Sequence, residues 1–158
     1  MIDSVPDPMR LELLVKLLAA VVLGGAVGLE REMSGKPAGL RTTILICVGA
    51  ALFTHLSITI GLIAQSPAGM PFGDVTRIAA QIVTGIGFLG AGAILHGSGF
   101  VRGMTTAATI WAVAATGMVV GIGYAGAGLG LSLLVRVVLT AALAWEARAM
   151  RGEQESRI

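Results

Sequence analysis

Long apolar runs and short polar interruptions alternate along this chain from Leu11 onward. Leu11 to Leu29 carries only Glu12 and Lys16 as charges, then breaks at Glu30-Arg31-Glu32. Thr42 to Gly73, Ile78 to Val101 and Gly103 to Val135 hold no Asp, Glu, Lys or Arg at all. A helix needs about 20 apolar residues to cross a hydrocarbon core, where each backbone N–H and C=O must find its partner inside the segment. The pattern therefore predicts five membrane-spanning helices, at about 11–29, 42–64, 77–96, 105–122 and 126–145. The stretch from Thr105 to Trp145 is too long for one span, and the glycines Gly121, Gly123 and Gly126 supply its bend. The expected fold class is all-α, a polytopic transmembrane helical bundle. Its expected organisation is one transmembrane domain over 1–150 and a short cytoplasmic tail over 151–158.

Composition agrees with a membrane solvent. Hydrophobic residues make up 55% of the 158 and charged residues 13%, against about 25% charged in soluble domains. Asp3 and Asp7 precede the first basic residue, Arg10, so the N-terminus does not read as a cleavable signal. A single cysteine, Cys47, excludes an intrachain disulfide. The basic balance lacks the interleaved aromatics of a nucleic-acid surface, so no nucleic-acid partner is expected. It instead sets orientation. With the C-terminus inside, Arg31, Lys36, Arg41, Arg102, Arg148, Arg151 and Arg157 fall on the cytoplasmic side, against Arg10, Lys16 and Arg77 outside. The expected orientation is N-terminus outside and C-terminus cytoplasmic.

Polar residues at membrane depth are costly, which makes them functional candidates. Glu30, Arg31, Glu32, Arg41, Arg102, Thr105 and Thr106 are expected to form a polar cluster on the cytoplasmic side, with Glu30 bridging Arg41 or Arg102. Asp74, Arg77 and Gln81 form the outer candidate, at the start of the third helix. His55 and Arg136 are the intramembrane polar candidates, and Arg136 is expected to face the protein interior, a partner chain or a lipid headgroup drawn inward. His96 is expected to end the third helix. Gly24-xxx-Gly28, Gly87-xxx-Ala91 and Gly117-xxx-Gly121 allow backbones to approach closely, in a tight bundle or a homo-oligomer. No nucleophile–base pair, HExxH or phosphate loop is present, so no enzyme is expected.

Six blocks in order resemble the MgtC/SapB family of membrane proteins. They are Gly28-Leu-Glu-Arg-Glu32, Lys36-Pro-Ala-Gly-Leu-Arg-Thr42, Gly49-Ala-Ala-Leu-Phe-Thr54, Arg77-Ile-Ala-Ala-Gln81, Gly85-Ile-Gly-Phe-Leu-Gly-Ala-Gly92 and Gly103-Met-Thr-Thr-Ala-Ala-Thr-Ile-Trp111. The resemblance implies a protein of the bacterial inner membrane, linked to growth at low magnesium and, in pathogens, to survival inside host cells. It also implies either magnesium transport or regulation of other membrane proteins, the ATP synthase among them. It carries Glu30, Arg31, Arg41, Asp74, Arg77, Gln81, Thr105, Thr106 and Trp111 as family-motif positions. Thr43 stands where family sequences often have histidine, and the end at Ile158 favours the shorter SapB-like branch.

Of the two activities, regulation is expected, with magnesium or other cation transport as the alternative. Mg2+ prefers octahedral oxygen ligands and sheds water reluctantly. The spans offer no midmembrane carboxylate and place Arg136 near the centre of the fifth. No cofactor is expected, Mg2+ binding is left open, and the sequence names no metal ligands. The expected partners are the lipid bilayer and other membrane proteins.

Overall fold

The computed structural model describes residues 7–63, 76–97 and 100–155. Five helices carry the chain: α1 (Asp7–Met33), α2 (Leu40–Ile63), α3 (Thr76–Gly92), α4 (Met104–Ile122) and α5 (Ala125–Glu155). A small hairpin, β1 (Leu95–Gly97) with β2 (Phe100–Arg102), stands between α3 and α4. The all-α bundle holds. Among the described residues, four helices are long and apolar enough to cross a membrane, over Leu11–Met33, Leu40–Gly61, Met104–Ile122 and Ala125–Ala142. The protein is therefore a multi-pass membrane protein.

α3 is shorter than the others at 17 residues, or about 25 Å at 1.5 Å per residue. It falls outside those four spans and lies antiparallel to α4, with Ile82 near Met118 and Gly90 against Ala107. α2 and α4 both start at the Glu30 end, because Leu40 N–H bonds Glu32 and Thr106 bonds Arg31. α3 finishes at that end, with Gly90 against Ala107.

Two helix ends are set by glycines at positive φ. Gly35 (φ 61) closes α1, with Lys36 N–H on the Arg31 carbonyl and Gly35 N–H on that of Glu32. Gly123 (φ 112) closes α4 in the same way, with Tyr124 N–H on Val119 and Gly123 N–H on Val120. Both are Schellman caps, and a left-handed residue at that position costs glycine nothing. The bend expected between 121 and 126 is the second of these.

α2 is the central helix, packed most extensively on α1 and α4. Lipid tails are as apolar as leucine, so helices associate in a membrane through close packing rather than hydrophobic exclusion. Gly24 and Gly28 bring α1 onto Thr43 and Cys47, and Gly117 and Gly121 bring α4 onto Cys47, Ala50, Ala51 and Thr54. A Cβ on Gly24 would fall 2.7 Å from Cys47 Cβ, and one on Gly121 would fall 2.6 Å from the Ala51 carbonyl oxygen. Ala20, Leu23, Val27, Cys47, Ala51, Val113 and Val120 fill the space between. The third expected pattern behaves otherwise, since a Cβ on Gly87 meets nothing within 4 Å.

Two expected boundaries are corrected. His96 does not end the third helix; it pairs with Val101 across the hairpin. Glycines at 90 and 92 weaken the helix there, and Leu95 to Gly97 pairs antiparallel with Phe100 to Arg102. The apolar span of α5, Ala125–Ala142, lies close to the expected 126–145, but the helix itself continues to Glu155. Hydropathy marks where a segment leaves lipid, whereas the helix formers Ala, Glu, Arg and Met carry the helix onward.

Candidate functional site

Arg31 occupies the last turn of α1 and is only 2% exposed. Its Nη2 donates to Thr106 Oγ1 at 2.8 Å and to the Pro37 carbonyl at 3.2 Å. One guanidinium thus ties the end of α1, the loop after it and the first turns of α4. The Schellman turn at Gly35 makes this possible by folding Lys36 and Pro37 back beneath Arg31. Glu30 is 8% exposed, and its Oε1 accepts from Ser34 Oγ at 3.0 Å. Glu30 Oε2 and Arg31 Nε are both buried and have no hydrogen-bond partner.

These groups border a cavity of about 590 Å³. Glu30, Arg31, Lys36, Arg102, Thr105 and Thr106 line it, and Leu139 and Ala142 of α5 form an apolar wall. Three basic side chains thus face one carboxylate.

The expected cluster is only partly one site. Among the described residues no ion pair joins Glu30 to Arg41 or Arg102. Glu30 turns instead to Ser34, one helical turn on. Arg102 lies over the Phe100 ring, 5.2 Å from its centroid. Arg41 is exposed on the first turn of α2, outside the cavity wall. Glu32 has a local task, because its Oε2 accepts from Leu40 N–H at 2.8 Å and so caps α2. Thr43 Oγ1 bonds back to the Gly39 and Leu40 carbonyls.

The other end of the bundle joins His55, an expected candidate, to Lys16 and Glu12, which the sequence did not single out as its partners. Lys16 is 8% exposed, and its Nζ sits 2.6 Å from Glu12 Oε1 and 3.3 Å from His55 Nδ1. An ammonium only donates, so His55 accepts through Nδ1. The available signal was Glu12 and Lys16 four apart inside an apolar helix, since an ion at that depth calls for a partner. Asp74 lies outside the described residues. Arg77 and Gln81 are exposed on α3, and Gln81 borders an apolar cleft of about 710 Å³ between α2 and α3.

Arg136 does not face the interior, being exposed on α5. Its depth also differs from the expectation. Leu139, three residues on, already stands at the level of Glu30 and Arg31, about 4.5 Å along the axis from Arg136. An arginine side chain is long enough to span that distance.

The two polar layers are well separated. Along α1, Glu12 and Glu30 stand about 27 Å apart, and the buried core residues of α1, α2 and α4 lie between them. Two of the polar side chains between the layers bond back to their own helix, Thr109 Oγ1 to the Thr105 carbonyl and Thr116 Oγ1 to that of Ala112, while Thr54 Oγ1 is buried without a partner.

A family profile described as MgtC family matches residues 17–148. The chain is 44% identical over 133 residues to the "Putative magnesium transporter YhiD" of Escherichia coli K12, covering 83% of this chain and 60% of that protein. It is 43% identical over 122 residues to "Protein MgtC" of Salmonella typhimurium LT2, covering 77% of this chain and 48% of that protein. An uncharacterized protein of Haemophilus influenzae is 42% identical over 119 residues, covering 75% and 50%. The chain thus spans half to three-fifths of these relatives' lengths. No solved structure matches it significantly.

Proposed function

The chain belongs to the MgtC family, and from that premise we propose a regulatory, non-enzymatic protein of the bacterial inner membrane, tied to magnesium homeostasis and growth at low Mg2+. The observation that carries this reading is the closed apolar core between the two polar layers. Gly24, Gly28, Gly117 and Gly121 press α1 and α4 directly onto the backbone of α2, and Ala20, Leu23, Val27, Cys47, Ala51, Val113 and Val120 fill the space between. A cation carrier needs a wet path with oxygen ligands along it.

Transport of Mg2+ or another cation is the competing reading, favoured by the name of the E. coli relative. Among the described residues, however, no three His, Cys, Asp or Glu side chains converge. The Glu30 cavity sets one carboxylate among three basic groups. These residues do not fit a resident Mg2+, which binds through carboxylates and retained waters.

Regulation requires a partner surface, and α3 and α5 offer open helix faces. A Cβ added at Gly85, Gly87, Gly126 or Gly130 meets nothing within 4 Å, which suits another membrane helix packing there. Arg31, Lys36, Arg41 and Arg102 gather at one end of the bundle, and the positive-inside rule assigns that end to the cytoplasm. The N-terminus is then outside and the C-terminus inside.

The test is growth of a strain lacking the protein in magnesium-limited medium. Wild type is expected to restore growth, and Arg31→Gln and Arg102→Ala to fail while still reaching the membrane. Equal growth with and without the protein, or full rescue by both variants, would contradict the reading.

A further inference from the structure

The cavity at the Glu30 end has the chemistry of an anion site. Arg31, Lys36 and Arg102 line it with a single opposing carboxylate, Glu30. Thr105 and Thr106 add hydroxyls from the first turn of α4. That turn is itself a donor array, because α4 has 19 residues and its N-cap, Gly103, has no side chain to cap the leading N–H groups. Free N–H groups and the positive end of the helix dipole attract phosphate and carboxylate. Gly103 is held at φ 89, and any Cβ there would overlap the Ala93 carbonyl oxygen, so a side-chain cap is excluded sterically.

A second, independent observation points the same way. Arg31 lines the cavity, and its Nε is buried without an acceptor, a costly arrangement for a charged donor. An anion seated against the guanidinium would supply that acceptor. Arginine, lysine, hydroxyls and a helix N-terminus together are the donors that recognise phosphoryl oxygens. The cavity of about 590 Å³ is in the range of small-ligand sites.

We propose that this cavity binds a phosphorylated ligand, its phosphoryl group held by Arg31, Lys36, Arg102 and the N-terminus of α4. The inference takes from the proposed function only that the Glu30 end is the working site. Two sources share this chemistry. Leu139 and Ala142 give the cavity an apolar wall on α5, which suits the headgroup and upper chains of a phospholipid. Free phosphate would enter from the aqueous side.

The test is calorimetric titration of the delipidated full chain in a maltoside detergent, with no ion gradient, so that its outcome is separate from regulation or transport. The probes are a short-chain phosphatidylglycerol, a short-chain phosphatidylethanolamine and inorganic phosphate. Saturable binding of a phospholipid alone supports the site with a lipid source; saturable binding of inorganic phosphate supports it with a soluble one. Arg102→Ala and Lys36→Ala, both exposed and outside the helix contacts, are each expected to weaken binding about tenfold. Arg41→Ala, also exposed but outside the wall, is expected to bind as wild type. Glu30→Gln is expected to tighten binding by removing the one like charge. No saturable binding of any probe at millimolar concentration overturns the proposal. So does undiminished binding in both Arg102→Ala and Lys36→Ala, or weaker binding in Glu30→Gln, which would mark a cation site instead.

Discussion

Replacing Gly117 by alanine and then by valine probes the contact that closes the core. A Cβ at Gly117 would overlap the Cys47 carbonyl oxygen and stand 2.9 Å from Ala50 Cβ and 3.0 Å from the Cys47 carbonyl carbon. Ordinary carbon contacts lie at about 3.5–4.0 Å, so α4 must retreat from α2 by roughly 0.5–1 Å. The obstacle is backbone, which no rotamer change relieves. Overpacking of this kind costs about 1–3 kcal/mol. Leaving glycine returns at most about 1 kcal/mol of helix propensity for alanine and less for valine. Gly117→Ala should then lose about 1 kcal/mol, and Gly117→Val about 2–3 kcal/mol. At about 2–4 °C per kcal/mol for a chain of this size, the valine variant should melt roughly 5–10 °C below wild type. Gly130 is the control, since nothing lies within 4 Å of its added Cβ. Gly130→Val should melt at or slightly above the wild-type temperature. The assay is tryptophan fluorescence on heating in a mild detergent, read from Trp111 and Trp145. A Gly117→Val variant as stable as wild type, or a Gly130→Val variant that falls equally far, would refute the packing argument.

Three further outcomes follow from the same geometry. Arg31→Met, which strands the Pro37 carbonyl and unties Thr106, should cost on the order of 3 kcal/mol and lower the melting temperature, whereas exposed Arg41→Met should not; equal stability of the two would contradict the assigned contacts. Gly103→Ala, at φ 89 and against the Ala93 carbonyl, should destabilise by at least about 1–2 kcal/mol; a neutral result in the same melt would contradict it. Lys36→Cys should react with a membrane-impermeant maleimide only from the cytoplasmic face, over a low background because Cys47 is fully buried; labelling from outside would invert the topology.

The bundle was legible because membrane-spanning segments declare themselves locally, through length and the absence of charge. The bend at Gly123 could be read for a similar reason: only glycine turns a long uncharged run so tightly. Glu30 and Arg31 stood out as charges at the edge of a span, and the structure places both on one cavity. What stayed hidden depends on helix rotation and relative depth. Lys16 and His55 meet across 39 positions of sequence, a contact fixed by how α1 is turned against α2. Glu32 and Arg41 look equivalent to Glu30 in composition, yet one caps α2 and the other points away. Arg136 seemed deep because its distance was counted to the ends of its own helix. Its true depth is set by the neighbours, which place the polar layer at Leu139 and Ala142. The hairpin was missed because two three-residue strands are too short to alternate visibly.

The most direct test of the regulatory reading is Mg2+ flux in proteoliposomes containing the purified protein alone. An entrapped Mg2+-sensitive dye, an imposed Mg2+ gradient and a membrane potential would report entry. The closed core predicts uptake no faster than in protein-free vesicles, with Glu30→Gln indistinguishable from wild type. Saturable uptake by wild type that is lost in Glu30→Gln would contradict the account and make this protein a carrier.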